Sequence, residues 1–162
     1  MADNQPPLEL RPSAIIRPFE DGSFQETDDP TGLEALLLPI RDAWDNPIDV
    51  CAWQVGTEQP WWRLRKRGDY LGAAAVERSR WPSLGYPLHE PCLILYATPK
   101  RWLSGISQNA ICILDWTAPL AVIFAAVDVP IYCIDTDVYD HFLATIEKQR
   151  PAGLEALVRV LE

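Results

Sequence analysis

Three aspartates stand where apolar runs end. "AICILD" closes on Asp115, "PIYCID" closes on Asp135, and Asp137 follows two residues later in "VPIYCIDTDVYDHF". In an open parallel sheet the carboxyl ends of the strands line the ligand crevice. Hard oxygen ligands gathered there suit Mg²⁺, which is held by one or two carboxylates plus water. Asp115, Asp135 and Asp137 are therefore a candidate divalent-metal site, and Mg²⁺ is the one cofactor the sequence suggests. A local reading competes with it. Asp137 caps the helix that follows, and Asp140 favours the positive end of the same helix dipole.

A second constellation is "WWRLRKRGDY". Trp61, Trp62 and Tyr70 interleave with Arg63, Arg65, Lys66 and Arg67. Bases stack on such rings while guanidinium groups meet phosphates. The plainer reading is a strand with Trp62 and Leu64 in the core, Arg63 and Arg65 in water, and a charged turn beyond. Lys100 and Arg101 in "TPKRWL" add two cations on a short helix.

Other chemistries find little support. The chain has no G-x-S-x-G elbow, no Walker A and no G-x-G-x-x-G, which removes the usual signatures of a nucleophile elbow and a phosphate cradle. His89 lies in a proline-rich loop and His141 on the polar side of a helix. Cys51, Cys92, Cys112 and Cys133 sit in apolar runs without a CxxC pair, so they read as reduced core thiols rather than zinc ligands. Most of the seven tryptophans read as core or interface anchors.

Charge narrows the partners. The chain of 162 residues carries a net −9. Residues 1–60 hold 3 basic and 12 acidic side chains, whereas residues 61–80 hold 6 basic and 2 acidic. Binding nucleic acid by charge alone is disfavoured over most of such a surface, and only a local basic patch remains for it. No apolar run approaches the ~18 residues of a membrane span. The N-terminal stretch lacks the pattern of a secretory leader. These features predict a cytoplasmic protein with no membrane association, a protein partner, and nucleic acid only through the local patch.

The elements that must position these residues follow from periodicity and punctuation. Residues 1–12 read as a flexible tail and 13–162 as a single α/β domain. "SAIIRPF" reads as a short edge strand, "EDGSFQETDDP" as an acidic loop, and "TGLEALLLPIRDAW" as a helix capped by Thr31 and ended or kinked at Pro39. "IDVCAWQV" and "WWRLRK" read as paired strands, and "DYLGAAAVERSRW" as a helix. From residue 91, "CLILYA", "AICILD" and "PIYCID" read as strands. They alternate with helices over "TPKRWLSG", "APLAVIFAAV" and "DVYDHFLATIEKQ", and "AGLEALVRVLE" is a last helix. Continuous apolar strands fit a parallel sheet covered on both faces. The expected class is α/β: a mainly parallel sheet flanked by helices, Rossmann-like in its C-terminal half, with an N-terminal β-rich extension.

Residues 91–149 resemble a Toprim domain, the metal-binding unit of bacterial primases, topoisomerases and related nucleases. The strand–helix–strand layout of "LILYATPKRWLSGISQNAICILDW" and the Asp-x-Asp of "YCIDTDVYDHFLATI" carry the resemblance. The family's Glu-Gly, which supplies its general acid/base, would fall at about Ala97 and Thr98, and neither matches. The resemblance therefore implies a scaffold that lost its catalytic glutamate. It points to a non-catalytic accessory or interaction module, in replication or in a phage or plasmid element. Two alternatives stand beside it: a Mg²⁺-dependent phosphoryl-transfer enzyme acting on nucleic acid, and an acidic inhibitor or decoy whose N-terminal segment occupies a basic site on a partner.

Overall fold

A computed structural model describes residues 11–80, 92–105, 109–149 and 158–160. Residues 1–10 of the expected tail (1–12), the loop around His89 and most of the expected last helix lie outside the described residues. The chain divides into two compact units, one made of residues 1–42 and 46–68, the other of 43–45 and 69–162.

The first unit is antiparallel throughout. Its strands are β1 (Ser13–Pro18), β2 (Phe24–Glu26), β3 (Leu33–Arg41), β4 (Pro47–Gln54) and β5 (Trp61–Arg63), in the order β2-β1-β3-β4-β5. The sheet curls back on itself: the Arg63 amide donates to the Gly22 carbonyl at 3.0 Å, and Ser23 bridges Arg63 in parallel. Ile16, Phe24, Ala35, Leu37, Val50 and Ala52 fill its core, with Trp62 and Leu64 packed against them.

The stretch expected as a helix, "LEALLLPIR", is β3. Its apolar residues satisfy both periods, and pairing with β1 and β4 on its two sides decides for the strand. Pro39 does not break it. The Leu37 amide, two residues earlier, donates toward Pro12 on the β1 side. The donor that Pro39 lacks would point the same way, past the last β1–β3 pair, so no ladder bond is lost. β1 itself is not an edge strand, because β2 covers its outer side.

The second unit holds a small mixed sheet. β6 (Tyr70–Leu71), β7 (Leu93–Tyr96), β8 (Ala110–Ile113), β9 (Ile131–Cys133) and β10 (Val158–Val160) lie in the order β10-β9-β7-β8-β6. β7 pairs in parallel with β8 and β9, and β9 with β10, whereas β6 runs antiparallel to β8. The described helices are α1 (Ala73–Ser79), α2 (Pro99–Ser104), the single turn α3 (Leu120–Ile123) and α4 (Thr136–Gln149). Its core gathers Leu93, Leu95, Ile111, Ile113, Leu120, Phe124, Ile131, Phe142 and Ile146.

This corrects the expected class. One mainly parallel sheet flanked by helices is replaced by an antiparallel sheet and a separate mixed one. Strand outweighs helix, and among the described helices only α4 exceeds seven residues. The expected last helix is also corrected at Val158–Val160, which is strand. Among the described residues no helix is long and apolar enough to cross a membrane.

Candidate functional site

β5 pairs with β4 in register, Trp62 opposite Ala52 and Arg63 opposite Cys51. The chain then leaves the sheet and turns through Leu64–Gly68. Lys66 takes φ 54° and Gly68 φ 77°, both left-handed. The Leu64 amide still donates to the Val50 carbonyl at 3.0 Å. Beyond it, one buried side chain receives the amides of Arg65 and Arg67.

That side chain is Asp49 on β4, which is fully buried. Its Oδ1 accepts from the Val50 amide at 2.7 Å and the Arg65 amide at 2.8 Å, and its Oδ2 accepts from the Arg67 amide at 2.7 Å. The Arg63 guanidinium caps the same turn, donating from Nη1 to the Gly68 carbonyl at 3.1 Å. A carboxylate inside a strand is costly unless bonded on both oxygens, and here both are. Burial still pushes the Asp49 carboxyl above the ordinary range, against the pull of the three amides and Arg63. The turn is therefore held from beneath by a carboxylate, while its basic side chains stand around it.

The predicted basic–aromatic residues divide accordingly. Lys66 and Arg67 are exposed, and Arg63, Arg65, Trp61 and Trp62 are half-buried. Trp62 packs against the core of the first unit, and Trp61 lies opposite the buried Trp53. Lys66 Nζ meets Asp21 Oδ2 at 2.7 Å. Lys100 and Arg101 are exposed on α2, in the second unit, where Arg101 approaches Asp135 at 3.8 Å.

The three aspartates serve their own neighbourhoods. Asp135, not Asp137, caps α4: its Oδ1 accepts from the Val138 amide at 2.9 Å. Asp115 Oδ1 accepts from the Thr117 amide at 2.9 Å and the Thr117 hydroxyl at 2.6 Å, closing a turn after β8. Asp137 is exposed in the first turn of α4. Among the described residues no group of three or more His, Cys, Asp or Glu side chains is placed to hold a metal ion. At the position where the Toprim resemblance would put its glutamate and glycine, Thr98 is buried and caps α2, accepting from the Arg101 amide at 3.2 Å.

The cysteines are free thiols, three of them buried. Burial pushes Cys112 far up, and it pushes Cys133 up to about 12 with Asp135 adding to the effect, so neither is a thiolate nucleophile at neutral pH. His141 packs edge-on against Trp116 with ring centres 4.1 Å apart.

Sequence reasoning missed Asp49. A signal was present: it is the one charged residue inside the mostly apolar "IDVCAWQV", and a buried acid demands donors. What the sequence could not show was that the donors lie 16 and 18 residues downstream, at the centre of the basic patch. No protein-family model matches the chain, and no curated protein matches it.

Proposed function

We propose that this protein is a non-catalytic interaction module that engages an anionic partner through the Arg63–Arg67 turn. The observation that carries the reading is the anchoring of that turn by Asp49. The backbone of a basic loop is fixed in advance by a buried carboxylate, so little ordering entropy is lost when a partner docks. Binding and catalytic residues concentrate on loops held by a rigid scaffold, and this loop is of that kind. The basic segment also interrupts a chain that is otherwise acidic, which favours a localised contact over general attraction to polyanions.

The test is retention of the full chain on an immobilised polyanion such as heparin. The wild type is retained at low salt and released as salt rises. The double variant Arg65→Ala/Arg67→Ala elutes markedly earlier, while Asp135→Ala and Asp137→Ala elute with the wild type. No retention at low salt, or retention that the arginine variant leaves unchanged, overturns the reading.

A further inference from the structure

The turn that joins β1 to β2 brings an acid onto the basic loop. Phe19 and Ser23 close it, the Phe19 amide donating to the Ser23 carbonyl at 2.8 Å and the Gly22 amide to the Phe19 carbonyl at 3.1 Å. Asp21 Oδ1 accepts from the Ser23 amide at 3.0 Å and the Ser23 hydroxyl at 2.6 Å. Its Oδ2 is left to face Lys66 Nζ at 2.7 Å. The next carbonyl, Gly22, takes the Arg63 amide. The fold thus seats one of its own carboxylates on the loop.

We infer that the Arg63–Arg67 loop takes a carboxylate-bearing segment of a partner protein, and that Asp21 is the internal stand-in which this segment displaces from Lys66. The inference rests on the proposed reading of the loop as the binding surface and names the partner's chemistry.

Two observations favour an acidic peptide over nucleic acid. First, single-strand binders combine a basic track with rings on which bases stack. Here Trp62 is committed to the core, and Trp61 is half-buried opposite Trp53. Second, the cationic footprint is one short turn on a chain of net −9. A phosphate backbone extending past the turn would meet the acids of the first unit, whereas a short acidic segment ends within it. The ion pair it displaces is solvent-exposed, its side chains 40% and 59% accessible, so Asp21 is a weak competitor that a partner can replace.

The experiment titrates the full chain at low salt with a fluorescent oligoglutamate peptide and, separately, with an oligothymidylate of equal charge. Asp21→Asn tightens peptide binding by about two- to fivefold, the range of an exposed ion pair. Glu34→Gln on β3, which makes the same charge change away from the loop, tightens it less. In a Lys66→Gln background the gain from Asp21→Asn disappears, because the residue the two carboxylates compete for is gone. The inference is overturned if Asp21→Asn binds no more tightly than Glu34→Gln, if the gain survives in Lys66→Gln, or if the oligothymidylate binds more tightly than the peptide. If Arg65→Ala/Arg67→Ala weakens the peptide while Asp21→Asn changes nothing, the displacement alone fails. If that arginine variant also changes nothing, the proposed binding surface fails with it.

Discussion

Replacing Asp49 by alanine removes the acceptor that three backbone amides share, and the cost can be worked from their surroundings. Val50 is 3% exposed, so its amide loses an acceptor where water has little access. A buried donor left unmet costs about 1–3 kcal/mol. Arg65 is half-buried and Arg67 exposed; water reaches their amides, and each lost bond costs about 0.5–1.5 kcal/mol. Removing a carboxylate that burial disfavours returns part of this. The expected net loss is about 3 kcal/mol, or roughly a hundredfold in the opening equilibrium of the turn. Hydrogen exchange read at individual amides is the assay. In Asp49→Ala the amides of Arg65 and Arg67 exchange about a hundredfold faster, while Ile111 and Ile113 on β8 keep their protection. Arg65 and Arg67 amides as slow in the variant as in the wild type would refute the anchoring argument.

Three further outcomes follow from other contacts. The raised Asp49 carboxyl gives a definite sign: the folded state holds its proton to higher pH than the unfolded chain, whose value is about 3.9. Wild-type stability therefore falls relative to Asp49→Asn as pH rises from about 4, and a wild type that gains on the variant over that window would reverse the sign. Asp135→Ala loses the cap of α4 and about 1 kcal/mol in denaturant unfolding, by the same amount with and without Mg²⁺; a loss seen only with the metal present would restore the metal site. Gly72 sits at φ 87° just before α1, and a Cβ there would run into the Ala110 carbonyl. Gly72→Ala is expected to cost about 2–4 kcal/mol in thermal or denaturant unfolding, since strain and a backbone clash add, and a neutral result would contradict that geometry.

What could be read ahead of the structure was mostly local. Thr98 followed by Pro99 announced α2, and the structure shows the cap bond itself. "IDVCAWQV" and "WWRLRK" announced a strand pair, and β4 pairs with β5. What could not be read was tertiary. Leu33, Leu36, Leu37 and Ile40 fall on one helical face, whereas Leu33, Ala35 and Leu37 alternate as a strand does, and only the neighbours β1 and β4 decide between the two. The same holds for Val158–Val160, whose partner is β9, 27 residues earlier. The misread β3 carried the fold class with it, because it is the strand that joins β1 to β4 in the antiparallel sheet. For the site, the basic residues were legible as a cluster, but their anchoring was not. Asp49 looks like a lone acid in an apolar run until the amides that surround it are known. The strand-end aspartates were legible as positions, yet caps and turns use the same residue types as metal sites, and Asp135 and Asp115 spend an oxygen locally.

The central claim is that an anionic partner meets this protein at the Arg63–Arg67 turn. Amide chemical shifts of the full chain, followed while oligoglutamate is added, test it most directly. The account predicts that the largest changes fall on residues 63–67 and on residues 19–23 of the turn that seats Asp21. Changes centred instead on the residues after β7, β8 and β9, around Thr98, Asp115 and Asp135, would contradict it.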